Sequence, residues 1–237
     1  MNPLVWLAEL GASDCERLGD DFLVQPVNAL SSFSYVVVGV AIAVVARRRR
    51  MLDARTTDFA VPLAGVGHGS VAFHGPQPPE SRLMHDRPIV VALLFMVLQG
   101  LCLLRPGMRW APPFVVGTLL ATAISWAADD AASVMSGVLV AVLVVVEALV
   151  FRSGRRPSSR RRQLRGYVAM AAVLVVAGAL YLLGRTDSPV CEPDSYLQPH
   201  GLGHATSAIV FGLWWWFAMV PEDPVIEQAP DAVMAGR

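Results

Sequence analysis

The sequence contains no lysine; all nineteen of its basic residues are arginine. That excludes a retinal-type pigment, whose Schiff base needs a lysine amine. Charge of either sign is scarce: 16% of residues are charged, where a soluble domain carries about 25%. The formal net charge is zero, so no global excess of charge argues for a nucleic-acid partner. Cysteine is limited to Cys15, Cys102 and Cys191, which rules out a disulfide-dense scaffold and leaves room for one pair. The N-terminus lacks the basic n-region of a cleavable signal peptide. Leu4, Val5, Trp6, Leu7 and Leu10 instead predict a short amphipathic helix lying at an interface.

What is present is apolar sequence, 54% of the chain, gathered into runs. A bilayer-spanning helix needs about 20 mostly apolar residues. Seven segments qualify or nearly so, at 29–46, 59–73, 88–104, 112–128, 132–151, 167–183 and 201–219; the second is short and glycine-rich. The loops between them are brief, which predicts one all-α integral membrane bundle over residues 29–219. An extracytoplasmic N-tail (1–28) precedes it, and an acidic, proline-containing tail (220–237) expected to be disordered follows it. Arginine marks alternate loops: fifteen lie in the odd-numbered loops and the C-tail, four in the N-tail and the even loops. The positive-inside rule then predicts seven spans with the N-terminus outside and the C-terminus in the cytoplasm. The run from Arg155 to Arg162, beside a span, reads as an orientation signal and an anionic-lipid contact, not a nucleic-acid patch. Trp214, Trp215 and Trp216 suit an aromatic belt at the inner end of the last span.

That topology brings polar residues from distant parts of the chain to one rim. His200 and His204 are four apart at the start of the seventh segment, so on a helix they share a face with Cβ atoms about 5–6 Å apart. Ser70 and His74 repeat the spacing at the outer end of the second segment, and Asp86 opens the third. Three histidines match the ligand number of a catalytic zinc, which keeps a fourth position for water. A zinc-bound water is acidic enough to yield hydroxide near neutral pH. Asp86 is the candidate proton carrier, and Ser70 the candidate donor to an oxyanion or to the water. His200-Gly-Leu-Gly-His204 lacks the glutamate of the H-E-x-x-H pattern, so the base must come from another helix. Alternatives stay open at this level. His85 could replace one ligand, Asp86 could pair with Arg82 or Arg87 or cap its helix, and His74 could cap a helix. Cys15 and Cys191 also fall outside, where a bridge would tie the N-tail over the same mouth; two free thiols are the alternative. His68 lies off the His74 face and reads as a core histidine. Glu147 reads as a polar anchor able to snorkel toward the cytoplasm.

Cys15-Glu16 with Gln25 and Asn28, Ser70-x-x-x-His74, Asp86 and His200-x-x-x-His204 follow one another in an order that resembles the alkaline ceramidases. These belong to the CREST superfamily of seven-helix membrane hydrolases, together with the progestin and adiponectin receptors. The resemblance spans Cys15 to His204. It implies zinc on His74, His200 and His204, Asp86 and Ser70 in catalysis, and a Cys15–Cys191 disulfide. It further implies cleavage of the ceramide amide into a sphingoid base and a fatty acid. The family also carries a calcium site in its N-tail, for which Asp14 and Glu16, with Asp20 or Asp21, would serve here. Leu18 and Gln25 stand where the family prefers oxygen-rich or charged ligands, and Gly203 stands where many relatives have tryptophan. Two other classes compete with the enzyme: a receptor or sensor with a structural metal, and an ion transporter, which would want mid-membrane carboxylates on several helices. Arginine in place of lysine points to a GC-rich bacterial genome, and so to the plasma membrane, with the site near the extracytoplasmic face.

Overall fold

The computed structural model describes residues 10–128 and 130–222. Among them every regular element is a helix, apart from a single antiparallel bridge between Asp14 and Arg185. α1 (Pro26–Arg48) is made of two stretches, Pro26–Ser31 and Phe33–Arg48, that meet at Ser32. α2 (Ala54–His74), α3 (Ser81–Leu104), α4 (Ala111–Ala127), α5 (Ala131–Ser153), α6 (Arg160–Leu183) and α7 (Pro199–Ala218) follow. Four of these, α1, α3, α5 and α6, are long and apolar enough to cross a membrane, and α4 is a shorter apolar helix. The chain is a membrane protein on that ground. α2 and α7 fall outside the group because polar residues interrupt them, and those residues include His74, His200 and His204. The N-terminal amphipathic helix and almost all of the tail expected to be disordered lie outside the described residues.

Local chemistry sets the helix ends. Proline opens α1, α4 and α7, at positions whose N–H would have no partner in any case. The Asp53 side chain accepts from Thr56 N at 2.9 Å and caps α2, a contact worth about 1 kcal/mol. That cap extends α2 to 21 residues, so the segment that read as short is a full helix. α3 likewise begins before Pro88 and runs through it. Pro88 has no N–H for the Met84 carbonyl four residues back. α2 packs closest at that turn: a Cβ on Gly69 would overlap the Met84 carbonyl oxygen. Glycine at 69 therefore lets α3 draw up to α2, which brings the ring of His85 within 6.3 Å of that of His74.

α3 lies against α2, α4 and α5, while α7 lies against α6 and α1. The shared core centres on Phe59, Phe95 and Trp214, with ring centroids 5.1 Å apart for Phe59–Trp214 and 5.6 Å for Phe59–Phe95. Trp214 and Trp215 are therefore core residues; only Trp216 reaches the surface, under the guanidinium of Arg49. The aromatic belt expected of all three is limited to that one ring, because a large ring gains most where it packs on other rings. His68 is exposed, not part of the core. Glu147 does not snorkel. It is 7% exposed and accepts from Arg156, Tyr167 and Trp214. With donors at hand from three directions, the carboxylate has no need of water.

Candidate metal centre

A strap, residues 10–25, runs across one end of the bundle and is stitched to the α6–α7 loop. Cys15 N donates to Gly184 O at 2.7 Å, Arg17 N to Pro193 O at 3.0 Å, and Thr186 N to Ser13 O at 3.1 Å. The expected disulfide joins Cys15 to Cys191. On its other side the strap meets the end of α2, where Gln25 N donates to His74 O at 2.7 Å. Under it lies a cavity of ≈ 500 Å³, lined among others by His74, His200, His204, His85, Asp86 and Asp14.

His74, His200 and His204 come together. Their candidate ligand nitrogens all lie within 4.8 Å of one another, and the ring centroids are 4.6–5.2 Å apart. Among the described residues this is the one group of three or more His, Cys, Asp or Glu with the geometry to hold a metal ion. His85 is not part of it: its Nδ1 is 2.6 Å from Asp86 Oδ1. That pairing also answers the question of Asp86, because Arg82 pairs with Asp130 and Arg87 stacks over Trp126.

The hydrogen bonds around the rings decide which nitrogen of each is free. The Gln25 amide donates from Nε2 to Gly11 O (3.1 Å) and Glu16 O (2.9 Å), so its Oε1, 2.7 Å from His74 Nδ1, must accept. Nδ1 of His74 therefore carries the hydrogen and Nε2 the lone pair. Gly11 is required here: its φ is +74°, and a Cβ would collide with Gln25 Oε1. Next to His204, Ser31 and Ser32 both donate their hydroxyl hydrogens to Asn28 O (2.9 and 2.7 Å). Their oxygens, 3.0 and 3.2 Å from His204 Nδ1, accept its hydrogen, again leaving Nε2. His200 Nδ1 is buried with no hydrogen-bond partner among the described residues.

Ser70 is fully buried, its Oγ 2.7 Å from Ser32 Oγ, and so reaches His204 through Ser32. Among the hydroxyls of the cavity wall that sequence reasoning did not single out are Tyr35 and Ser207, which hydrogen-bond to each other. The sequence carries little signal for them, since each sits beside another hydroxyl residue, Ser34 next to Tyr35 and Thr206 next to Ser207. Gln25, which belongs to the resemblance and departs from the family's calcium-site pattern, is here the partner of His74.

Two of the four acids named for a calcium site, Glu16 and Asp14, already have partners. Glu16 accepts from Val27 N and Asn28 N at 2.6 and 2.7 Å, capping the start of α1. Asp14 lies 3.5 Å from Arg185 Nη1 and 3.4 Å from His200 Nδ1. Burial pushes the Asp14 carboxyl up to about 6, with Arg185 pulling the other way. The amide hydrogens of Gln25 already fill the carbonyls of Gly11 and Glu16. Calcium needs about 6–8 oxygens around one point, and these oxygens are committed elsewhere.

No curated protein matches the chain. A protein-family model described as Ceramidase matches residues 21–220, from the strap to the end of α7. A match of that extent, over a bundle whose interior gathers three histidines beneath a disulfide-tied strap, shows that the chain belongs to the ceramidase family.

Proposed function

We propose that the chain is a zinc-dependent intramembrane hydrolase that cleaves the amide of a ceramide or related long-chain lipid amide into a fatty acid and an amine. The observation that carries this reading is the convergence of three imidazoles within 4.8 Å on a cavity. Three imidazoles suit zinc and leave its fourth position for water. The Nδ1 hydrogens of His74 and His204 are already received by Gln25 and by Ser31 and Ser32, as expected of ligands that bind through Nε2. Zinc bound there supplies a water nucleophile near neutral pH and a Lewis acid for the amide carbonyl. In this reading all seven helices span the bilayer of a bacterial plasma membrane, with the N-terminus outside and the C-terminus in the cytoplasm. The arginine distribution supports that orientation.

The chain's own residues divide the remaining work. Asp86 takes the proton that the water gives up and returns it to the leaving amine. His85, 2.6 Å away, fixes one of its oxygens and leaves the other for the transfer. Ser70 is the proposed donor to the oxyanion or the water, a role in which its one hydroxyl hydrogen turns away from Ser32 Oγ, which it otherwise braces from 2.7 Å. The apolar faces of the bundle admit a substrate from the lipid phase. The test is metal analysis of the purified protein with a fluorescent ceramide hydrolysis assay. Asp86→Asn should keep the metal and lose about 10²–10⁴-fold in turnover. Undiminished turnover would remove Asp86 from the reaction, and bound metal without any lipid-amide hydrolysis would make the centre structural.

A further inference from the structure

Two of the three rings have neutral partners at Nδ1. The third, His200, has a buried Nδ1 with no hydrogen bond among the described residues, and Asp14 Oδ1 lies 3.4 Å from it. Asp14 is 5% exposed and lines the cavity. Burying a carboxylate is costly unless it is paired and hydrogen-bonded. Arg185 Nη1, 3.5 Å away, offsets the charge without a hydrogen bond of ordinary length. The backbone at Asp14 is held unusually well for a residue outside any helix. It bridges to Arg185, it precedes the disulfide-bonded Cys15, and its own N–H donates to Gly11 O at 2.9 Å. A carboxylate held that firmly, with Oδ1 3.4 Å from the unpartnered His200 Nδ1 and Oδ2 4.0 Å from the already partnered His74 Nδ1, has His200 as its nearer receiver.

We propose that Asp14 is a positioning residue of the metal centre: its carboxylate receives the Nδ1–H of His200, turning that ring so that Nε2 faces the ion. This rests on the proposed metal reading of the three histidines. Closing 3.4 Å to the 2.7–2.9 Å of a charge-assisted hydrogen bond asks for a movement of about half an ångström. A small turn of the His200 ring supplies it. Histidine ligands habitually hand their second N–H to a carboxylate or carbonyl, which fixes the tautomer and raises the basicity of the ligating nitrogen. Here the three partners differ in kind: an amide for His74, hydroxyls for His204 and, at His200, the single anion. All three come from residues 14–32, so the strap and the start of α1 set the orientation of ligands carried by α2 and α7.

The experiment uses the full-length protein in detergent, as wild type, Asp14→Asn and Asp14→Ala. Zinc retention is measured against a graded chelator, and the visible spectrum of the cobalt-substituted protein reports the ligand field. Thermal unfolding and free-thiol titration establish that the fold and the Cys15–Cys191 bridge persist. Asp14→Ala should weaken zinc binding by about 10–100-fold and shift the cobalt bands, with KM for a lipid amide unchanged. Asp14→Asn, isosteric and still an acceptor, should fall between Ala and wild type; if the Ala variant does not fold, Asn alone decides. Wild-type zinc binding with both folded variants holding zinc as tightly, and with the same cobalt spectrum, overturns the role of Asp14 alone. A wild-type protein that takes up no zinc overturns the metal reading itself.

Discussion

Two buried polar clusters interrupt the apolar bundle, and they are built on opposite principles. Around Glu147 every carboxylate oxygen is used. Oε1 accepts from Arg156 (3.1 Å) and Trp214 (2.9 Å), and Oε2 from Arg156 (2.9 Å) and Tyr167 (2.8 Å). Among the three histidines the Nδ1 atoms of His74 and His204 are held by neighbours, while their Nε2 atoms make no hydrogen bond among the described residues and sit by a cavity of ≈ 500 Å³. A polar group in a membrane bundle is costly in either place. Where all its valences are filled it fastens helices together; where one atom per ring is left open beside a cavity it is prepared to receive something. The contrast also separates α7 into two halves, with His200 and His204 on its first turns and Trp214 near its end.

The largest effect that would break this contrast is at the open cluster. His204→Ala removes one of three nitrogens and should strip the metal from purified protein, taking lipid-amide hydrolysis below detection. Stoichiometric metal in the variant would expel His204 from the centre. A smaller loss is expected one bond further out. Gln25→Ala leaves all three histidines in place but removes the acceptor that orients His74, and leaves the carbonyls of Gly11 and Glu16 without their donor. Metal affinity should fall about 10–100-fold, read by competition with a chelator. Affinity equal to wild type would mean that the strap covers the site without orienting it.

Much of the open cluster was legible because its signals are periodic or additive. The four-residue interval between His200 and His204 survives whatever the helix packs against. The proposed sidedness rests on the alternation of arginine among the loops, a count that needs no knowledge of contacts. What stayed hidden depends on tertiary approach. Asp14 and Gln25 lie in a strap with no periodicity, and their partners are 186 and 49 residues away in sequence. Pro88 read as a helix start, because proline is at home there, yet α3 crosses it and closes on Gly69. Trp215 read as membrane belt and Glu147 as a snorkelling group for a common reason. Composition can say that such a residue lies near a boundary, but not that other helices have reached it first.

The smallest effect on turnover is expected at the filled cluster, where the effect on stability is large. Glu147→Ala leaves the Arg156 guanidinium, which is itself buried, without its counter-charge. Breaking a buried pair in this way costs about 3–5 kcal/mol, and in detergent it should appear as a clearly lowered unfolding temperature. Replacing both partners, as in Glu147→Leu with Arg156→Met, removes the stranded charge along with the bond. Apolar replacements of this kind are often neutral or stabilising by about 1–4 kcal/mol, so the double variant should recover most of the loss. Tyr167 and Trp214 would still lack their acceptor, which keeps the recovery short of complete. Throughout the series zinc content should stay stoichiometric, because the Glu147 network shares no residue with the histidines or their partners. Loss of metal at the permissive temperature in Glu147→Ala, restored in the double variant, would show instead that the packing of Trp214 sets the pitch of α7 as far as His204, and the two clusters would then be one device.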